Sequence, residues 1–187
     1  MAGSCAWNLL HGNSRAIATW RGHIAFMAIL KIARMGHPVL RRRAEEIIDP
    51  TAPEIRALAG DMIETMFDAP GVGLAAPQVH VPLRMVIFRA PVSEFEADAE
   101  ADEDDEKPLT VLINPVLEPQ SDEMLEDWEG CLSVPGLRGQ VPRYAHLRYH
   151  GVDLTGAPID RTVEGYHARI VQHECDHLDG ILYPQRM

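Results

Sequence analysis

The run Gln172-His173-Glu174-Cys175-Asp176-His177 sets two histidines four positions apart. On a helix, residues i and i+4 share a face, with Cβ atoms roughly 5–6 Å apart. Two imidazoles at that spacing can converge on one cation. Glu174 follows His173 by one position, about 100° further round the helix. It would flank such an ion, placed to take a proton from water rather than to ligate. His-Glu-x-x-His is therefore a hydrolytic signature with a mechanical basis. Taken alone, it also fits a pair of surface histidines.

A catalytic site of this kind normally has three protein ligands and one open position. Ten residues follow His177, and Asp179 is the strongest ligand type among them. It lies two positions on, so a helix turns it to another face. The third ligand is therefore expected upstream. The chain has three cysteines, Cys5, Cys131 and Cys175. Cys175 is two positions from each motif histidine and points away from their face. Cys131, within Glu129-Gly-Cys-Leu-Ser133, is the better candidate, set against the alternative of an inert buried thiol. Three scattered cysteines make no disulfide framework and fit a reducing compartment.

These side chains need a scaffold. The apolar spacing of Ala168, Ile170, Val171 and Leu178 predicts a helix from about 163 to 178, with Gly180 just past its end. A second helix is expected to begin at Thr51-Ala-Pro-Glu54, read as a capping box. It continues through Ile55, Leu58, Met62 and Met66 and stops near Asp68, before Ala69-Pro70-Gly71. Residues 84–89 (RMVIFR) and 109–113 (LTVLI) read as strands. Between 114 and 160, short strand-like pieces alternate with Pro and Gly, with a turn at Asp153-Leu-Thr-Gly156. The order predicts an α+β domain, with antiparallel sheets around a C-terminal helix that carries the histidines and a helix nearer the N-terminus.

The chain has 187 residues, which suits one domain with one core. Its formal net charge of −11 argues against a general nucleic-acid binder. No apolar run reaches the length of a membrane span. Residues 1–26 are acid-free and carry Arg and Ser. They read either as a start codon set too early, with Met27 the true start, or as a transit-like leader. The catalytic domain is accordingly expected over 27–187. Residues 91–108 hold nine acids and one lysine and are expected to form a solvated loop.

Three segments now stand in one order: Gly71-Val-Gly-Leu-Ala-Ala-Pro-Gln78, Glu129-Gly-Cys-Leu-Ser133 and Gln172-His-Glu-Cys-Asp-His177. Together they resemble the peptide deformylase family, whose motifs read G-x-G-L-A-A-x-Q, E-G-C-L-S and Q-H-E-x-D-H. The resemblance runs from about Met27 to the end of the chain, interrupted by the acidic loop.

The resemblance implies hydrolysis of the formyl group from N-formyl-methionyl nascent peptides, giving formate and a free N-terminal methionine. It implies a metal held by Cys131, His173 and His177. The family typically uses Fe²⁺ in cells and also works with Ni²⁺, Co²⁺ or, more weakly, Zn²⁺. Glu174 is implied as the acid–base, and the Gln78 amide and the Leu132 N–H as oxyanion donors. Gly73 is implied as a backbone partner of the peptide. Val72, Glu129 and Arg138 fall near the substrate. Asp176 is expected to pair with a buried Arg143. Many bacterial members carry a further basic helix that contacts the ribosome, and this chain stops seven residues after Gly180. A monomer in the bacterial cytoplasm is expected, without direct nucleic-acid or membrane contact; an organelle follows if 1–26 are a leader.

Two other readings compete. A zinc endopeptidase would cleave internal bonds and place a ligand after His177. A non-catalytic homologue would have no need to keep both Glu174 and Gln78.

Overall fold

The computed structural model describes residues 28–90 and 108–187. The extension 1–26 with the start at Met27, and the acidic run 91–107, lie outside the described residues. Among the described residues, no helix is long and apolar enough to cross a membrane.

The architecture is α+β, as expected. Helix α1 (Pro53–Asp68) precedes a short strand β1 (Gly73–Ala75), then β2 (Met85–Arg89) and β3 (Leu109–Pro119). The hairpin β4 (Met124–Cys131) and β5 (Val134–Tyr144) follows, then β6 (His146–Val152), β7 (Pro158–Glu164) and helix α2 (Gly165–Leu178). Five strands form one antiparallel sheet in the order β1-β2-β3-β6-β7, while β4 and β5 pair separately.

The core follows from the two-residue period of β2. Met85 and Ile87 join Leu74 and Ile113 against Ile55, Ala59, Met62 and Met66 of α1. Val86 and Phe88 face the other way, joining Leu112, Leu147 and Tyr149 against Ala168, Val171, Cys175 and Leu178 of α2. A strand covered on both faces must be apolar throughout, which explains the run Met-Val-Ile-Phe.

Two local expectations are corrected. Thr51 does not cap α1: its hydroxyl bonds Asp49 Oδ1 at 2.7 Å, and the cap position is Ala52, with no side-chain bond. Asp49 competes as the nearer acceptor, and Pro53, lacking an N–H, still opens the helix. Helix α2 begins at Gly165 rather than Val163, because Val163 and Glu164 pair with Leu147 and His146 in the sheet. Its end behaves as expected. Gly180 has φ +74°, its N–H reaches His177 O, and the Ile181 N–H reaches Asp176 O at 2.9 Å. That is a Schellman closure. It stops the helix at Leu178, one residue after His177.

Candidate active site

Helix α2 is buried along nearly its whole length between the large sheet and the β4–β5 hairpin. Its His-Glu-x-x-His face looks toward the end of β4. There the ladder bulges between Gly130 and Cys131, and Cys131, two residues after the buried Glu129, shares its face of the strand. Ligand atoms of Cys131, His173 and His177 all lie within 4.8 Å of one another. Cys131 Sγ is 3.3 Å from His177 Nε2, and the two imidazoles meet edge to face. One thiol and two imidazoles form a set fit to hold a metal ion.

The neighbours of His173 decide how its ring stands. Its Nδ1 is 2.8 Å from Glu129 Oε2, which leaves Nε2 for the ligand cluster. Burial opposes charge on His173, but contact with Cys131 and Glu129 and the charge of Glu174 outweigh it, raising its pKa to about 10. His177 moves the other way: burial first, then the charges of His173 and Arg143, hold it well below the usual histidine range. An ion bound here would have to displace the His173 proton, so metal uptake releases protons.

Glu174 stands beside this cluster, 4% exposed, with its Oε2 buried and without a hydrogen-bond partner among the described residues. Burial raises its pKa to about 7, against the pull of the His173 charge. A carboxylate poised near neutrality in a cleft suits proton transfer. Gly73 explains how it fits. A Cβ on Gly73 would fall against the Glu174 carboxylate, so only glycine lets β1 pass so close.

Gln78 sits in a short 3-10 turn, Ala76–Val79, just after β1. Its Oε1 accepts the Ala75 N–H at 2.8 Å, which fixes the amide plane. Its Nε2 then faces Ser133 Oγ at 3.1 Å and Cys131 Sγ at 3.6 Å. The amide donor is therefore aimed at the ligand cluster. Leu132 lies in the turn between β4 and β5 and lines the same cleft. That cleft has a volume of about 750 Å³ and is walled also by Gly73, Tyr166, Ile170 and Glu174. Val72 is half exposed at its lip, and Arg138 stands exposed on the β5 side.

Nine of the ten residues singled out from the sequence line this one cleft, and the tenth, His177, stands behind it with its ring nitrogen beside Cys131. Glu129 meets the cleft differently. Its carboxylate is gripped by Arg143, through Nε at 2.8 Å and Nη2 at 2.9 Å, by Arg169 Nη1 at 2.9 Å, and by His173. Those contacts hold it against the back wall of the cleft that it lines. Burial opposes its charge, but the hydrogen bonds from Arg143 and His173 overcome that and lower its pKa to about 2. The Asp176–Arg143 pair is present, at 2.5 Å.

Sequence reasoning missed Arg169, Ser133 and Arg186. Arg169 had a signal: it lies four positions before His173, on the same helix face. Its guanidinium also binds the main-chain oxygens of Val141 and Leu125. Asp179 is accounted for outside the site, held by Arg84 at 2.8 Å.

The polypeptide deformylase family model matches residues 29–187. A peptide deformylase of Bordetella pertussis is 56% identical over 156 residues, covering 83% of this chain and 86% of the relative. One from Nitrosomonas europaea is 55% identical over 159 residues, covering 85% and 88%. Among solved structures, the Met-Ala-Ser-bound class I type b peptide deformylase of Acinetobacter baumannii superimposes with a TM-score of 0.76 at 35% identity, covering 86% of this chain and 99% of that one. The Plasmodium falciparum enzyme in complex with an inhibitor gives 0.70 at 32% identity, covering 84% and 88%. The matched span includes both helices, both sheets and every residue of the cleft, and so the chain belongs to the polypeptide deformylase family: it is a metal-dependent hydrolase that removes the formyl group from the N-terminus of newly made peptides.

Proposed function

We propose that Cys131, His173 and His177 hold one divalent cation, Fe²⁺ in the cell, beside Glu174 as the acid–base for N-formyl-methionyl peptides. One observation carries this reading. The buried Glu174 carboxylate, with an oxygen that no group among the described residues satisfies, lies next to three convergent donors. The donor set is soft to borderline and also accepts Ni²⁺, Co²⁺ or Zn²⁺. A cation bound there acidifies water and polarises a carbonyl.

The chain's own residues do the rest. Gln78 Nε2 and the Leu132 N–H donate to the formyl oxygen as it gains negative charge. Both are set before reaction, Gln78 by its bond to Ala75. Glu174 takes a proton from the attacking water and returns it to the departing amine nitrogen. The Gly73 main chain runs alongside the peptide. Val72, Tyr166 and Ile170 offer the methionine side chain an apolar wall, and Arg138 faces the residues that follow. Glu129 acts on His173, not on substrate. We read 27–187 as the catalytic unit, working as a monomer in the bacterial cytoplasm on chains leaving the ribosome. The bacterial relatives and a site built wholly from one chain support this.

Metal analysis of Cys131→Ala, His173→Ala and His177→Ala tests the ligand set. Each is expected to fall well below one ion per chain, and stoichiometric metal in Cys131→Ala would overturn its role. Products of formyl-Met-Ala-Ser are expected to be formate and intact Met-Ala-Ser. A cut Met–Ala bond would favour the endopeptidase reading instead.

A further inference from the structure

The segment after α2 folds back over the hairpin that carries Cys131. It leaves the Schellman turn at Gly180 and forms a 3-10 turn at Tyr183–Gln185. Leu182 and Tyr183 pack with Val134 and Val141 of β5. Three contacts then tie it to the site. The Tyr183 ring lies nearly parallel to His173, with centroids 6.4 Å apart and planes 23° apart. Arg186 forks onto Asp176, Nη2 to Oδ1 at 2.6 Å and Nε to Oδ2 at 3.1 Å. Gly139 of β5 lies beneath this segment: a Cβ there would stand 2.6 Å from Sδ of the exposed Met187 side chain and 3.1 Å from Tyr183 Cε2.

Asp176 is the junction. Its Oδ2 also takes Arg143 Nη1, and Arg143 grips Glu129, which holds His173 Nδ1. An unbroken chain of charge-assisted bonds thus runs from Arg186 to a metal ligand. A carboxylate held by one guanidinium nitrogen can still rotate about that contact. A second, two-toothed grip fixes its plane. The Asp176 side chain is 10% exposed and that of Arg186 47%, so water screens the pairing only from the arginine side.

We infer that Arg186 and Tyr183 are positioning residues for His173. Arg186 works through Asp176, Arg143 and Glu129, and Tyr183 by lying against the ring. The inference rests on the ligand set proposed above. Outer partners of a ligating histidine typically change metal affinity by about 10–100-fold. Arg186 stands further out, so the low end of that range is expected.

The test uses full-length protein loaded with Co²⁺, whose visible bands report the geometry of a thiolate-containing site. Arg186→Gln, Arg186→Lys and Tyr183→Ala are compared with wild type for loss rate to a chelator, band position and Tm. Arg186→Gln is expected to lose Co²⁺ about tenfold faster, with shifted bands. Arg186→Lys, keeping charge but not the fork, should fall between. A merely structural tail would lower Tm and leave loss rate and bands unchanged, and that result overturns the inference. If wild type itself takes up no stoichiometric Co²⁺, the ligand set fails first and the inference with it. Should a variant lose helical circular dichroism, Arg186→Lys decides: wild-type loss rate and bands in it overturn the role of the fork.

Discussion

Glu129 and Glu174 are the same residue type in the lining of one cleft, and the fold drives them in opposite directions. Glu129 is surrounded by donors and is held charged, with a pKa near 2. Glu174 is buried with too few donors and rises to about 7. In the proposed mechanism one anchors a ligand and the other moves a proton. Glu129→Gln leaves Arg143 and Arg169 buried without their carboxylate and should cost about 3–5 kcal/mol of stability. Its pH signature has a definite sign. The folded pKa lies below the ordinary glutamate value of 4.5, so Glu129 contributes stability above about 4.5 and loses it as pH falls toward 2. Acid unfolding of wild type should therefore steepen in that window, and the Gln variant should be flatter there; equal slopes would contradict the assignment. Gly73→Ala should keep the fold and push Glu174 off its position. Displacements of about 1 Å can cost about 10²-fold in rate, read as kcat at unchanged metal content.

At the level of elements, the sequence made α2 and its histidines plain because a 3.6-residue period and a glycine stop are local signals. The strand β2 was equally plain from its apolar run. The true cap of α1 was not, because Asp49 and Thr51 offer the backbone rival short-range bonds. Nor was the grip on Glu129, since Arg143 and Arg169 come from different elements that only tertiary packing joins. The stop itself can be tested. Gly180 is left-handed, and a Cβ there would meet the Arg41 backbone at 2.7 Å. Gly180→Ala should cost at least about 1 kcal/mol. That would appear as a lower urea midpoint at unchanged m; an unchanged midpoint would mean that the turn does not constrain α2.

At the scale of the whole fold, among the described residues, helices α1 and α2 clamp the five-stranded sheet, and the β4–β5 hairpin closes the remaining side of α2. The proposed metal ligands come from both parts, Cys131 from the hairpin and the histidines from the helix, so an ion should bind the folded state alone. Saturating metal at about 100 times Kd would add about 2.7 kcal/mol, and chelation should lower Tm accordingly. The three motifs named the chemistry, but they did not show that β1, the β4 bulge and α2 converge on one carboxylate. That carboxylate is where the account is most exposed. Formate release from formyl-Met-Ala-Ser by Fe²⁺-loaded wild type and Glu174→Gln, at matched metal content, is the direct measurement. The account predicts a loss of about 10²–10⁴-fold in the variant. A metal-replete Glu174→Gln releasing formate at the wild-type rate would contradict it.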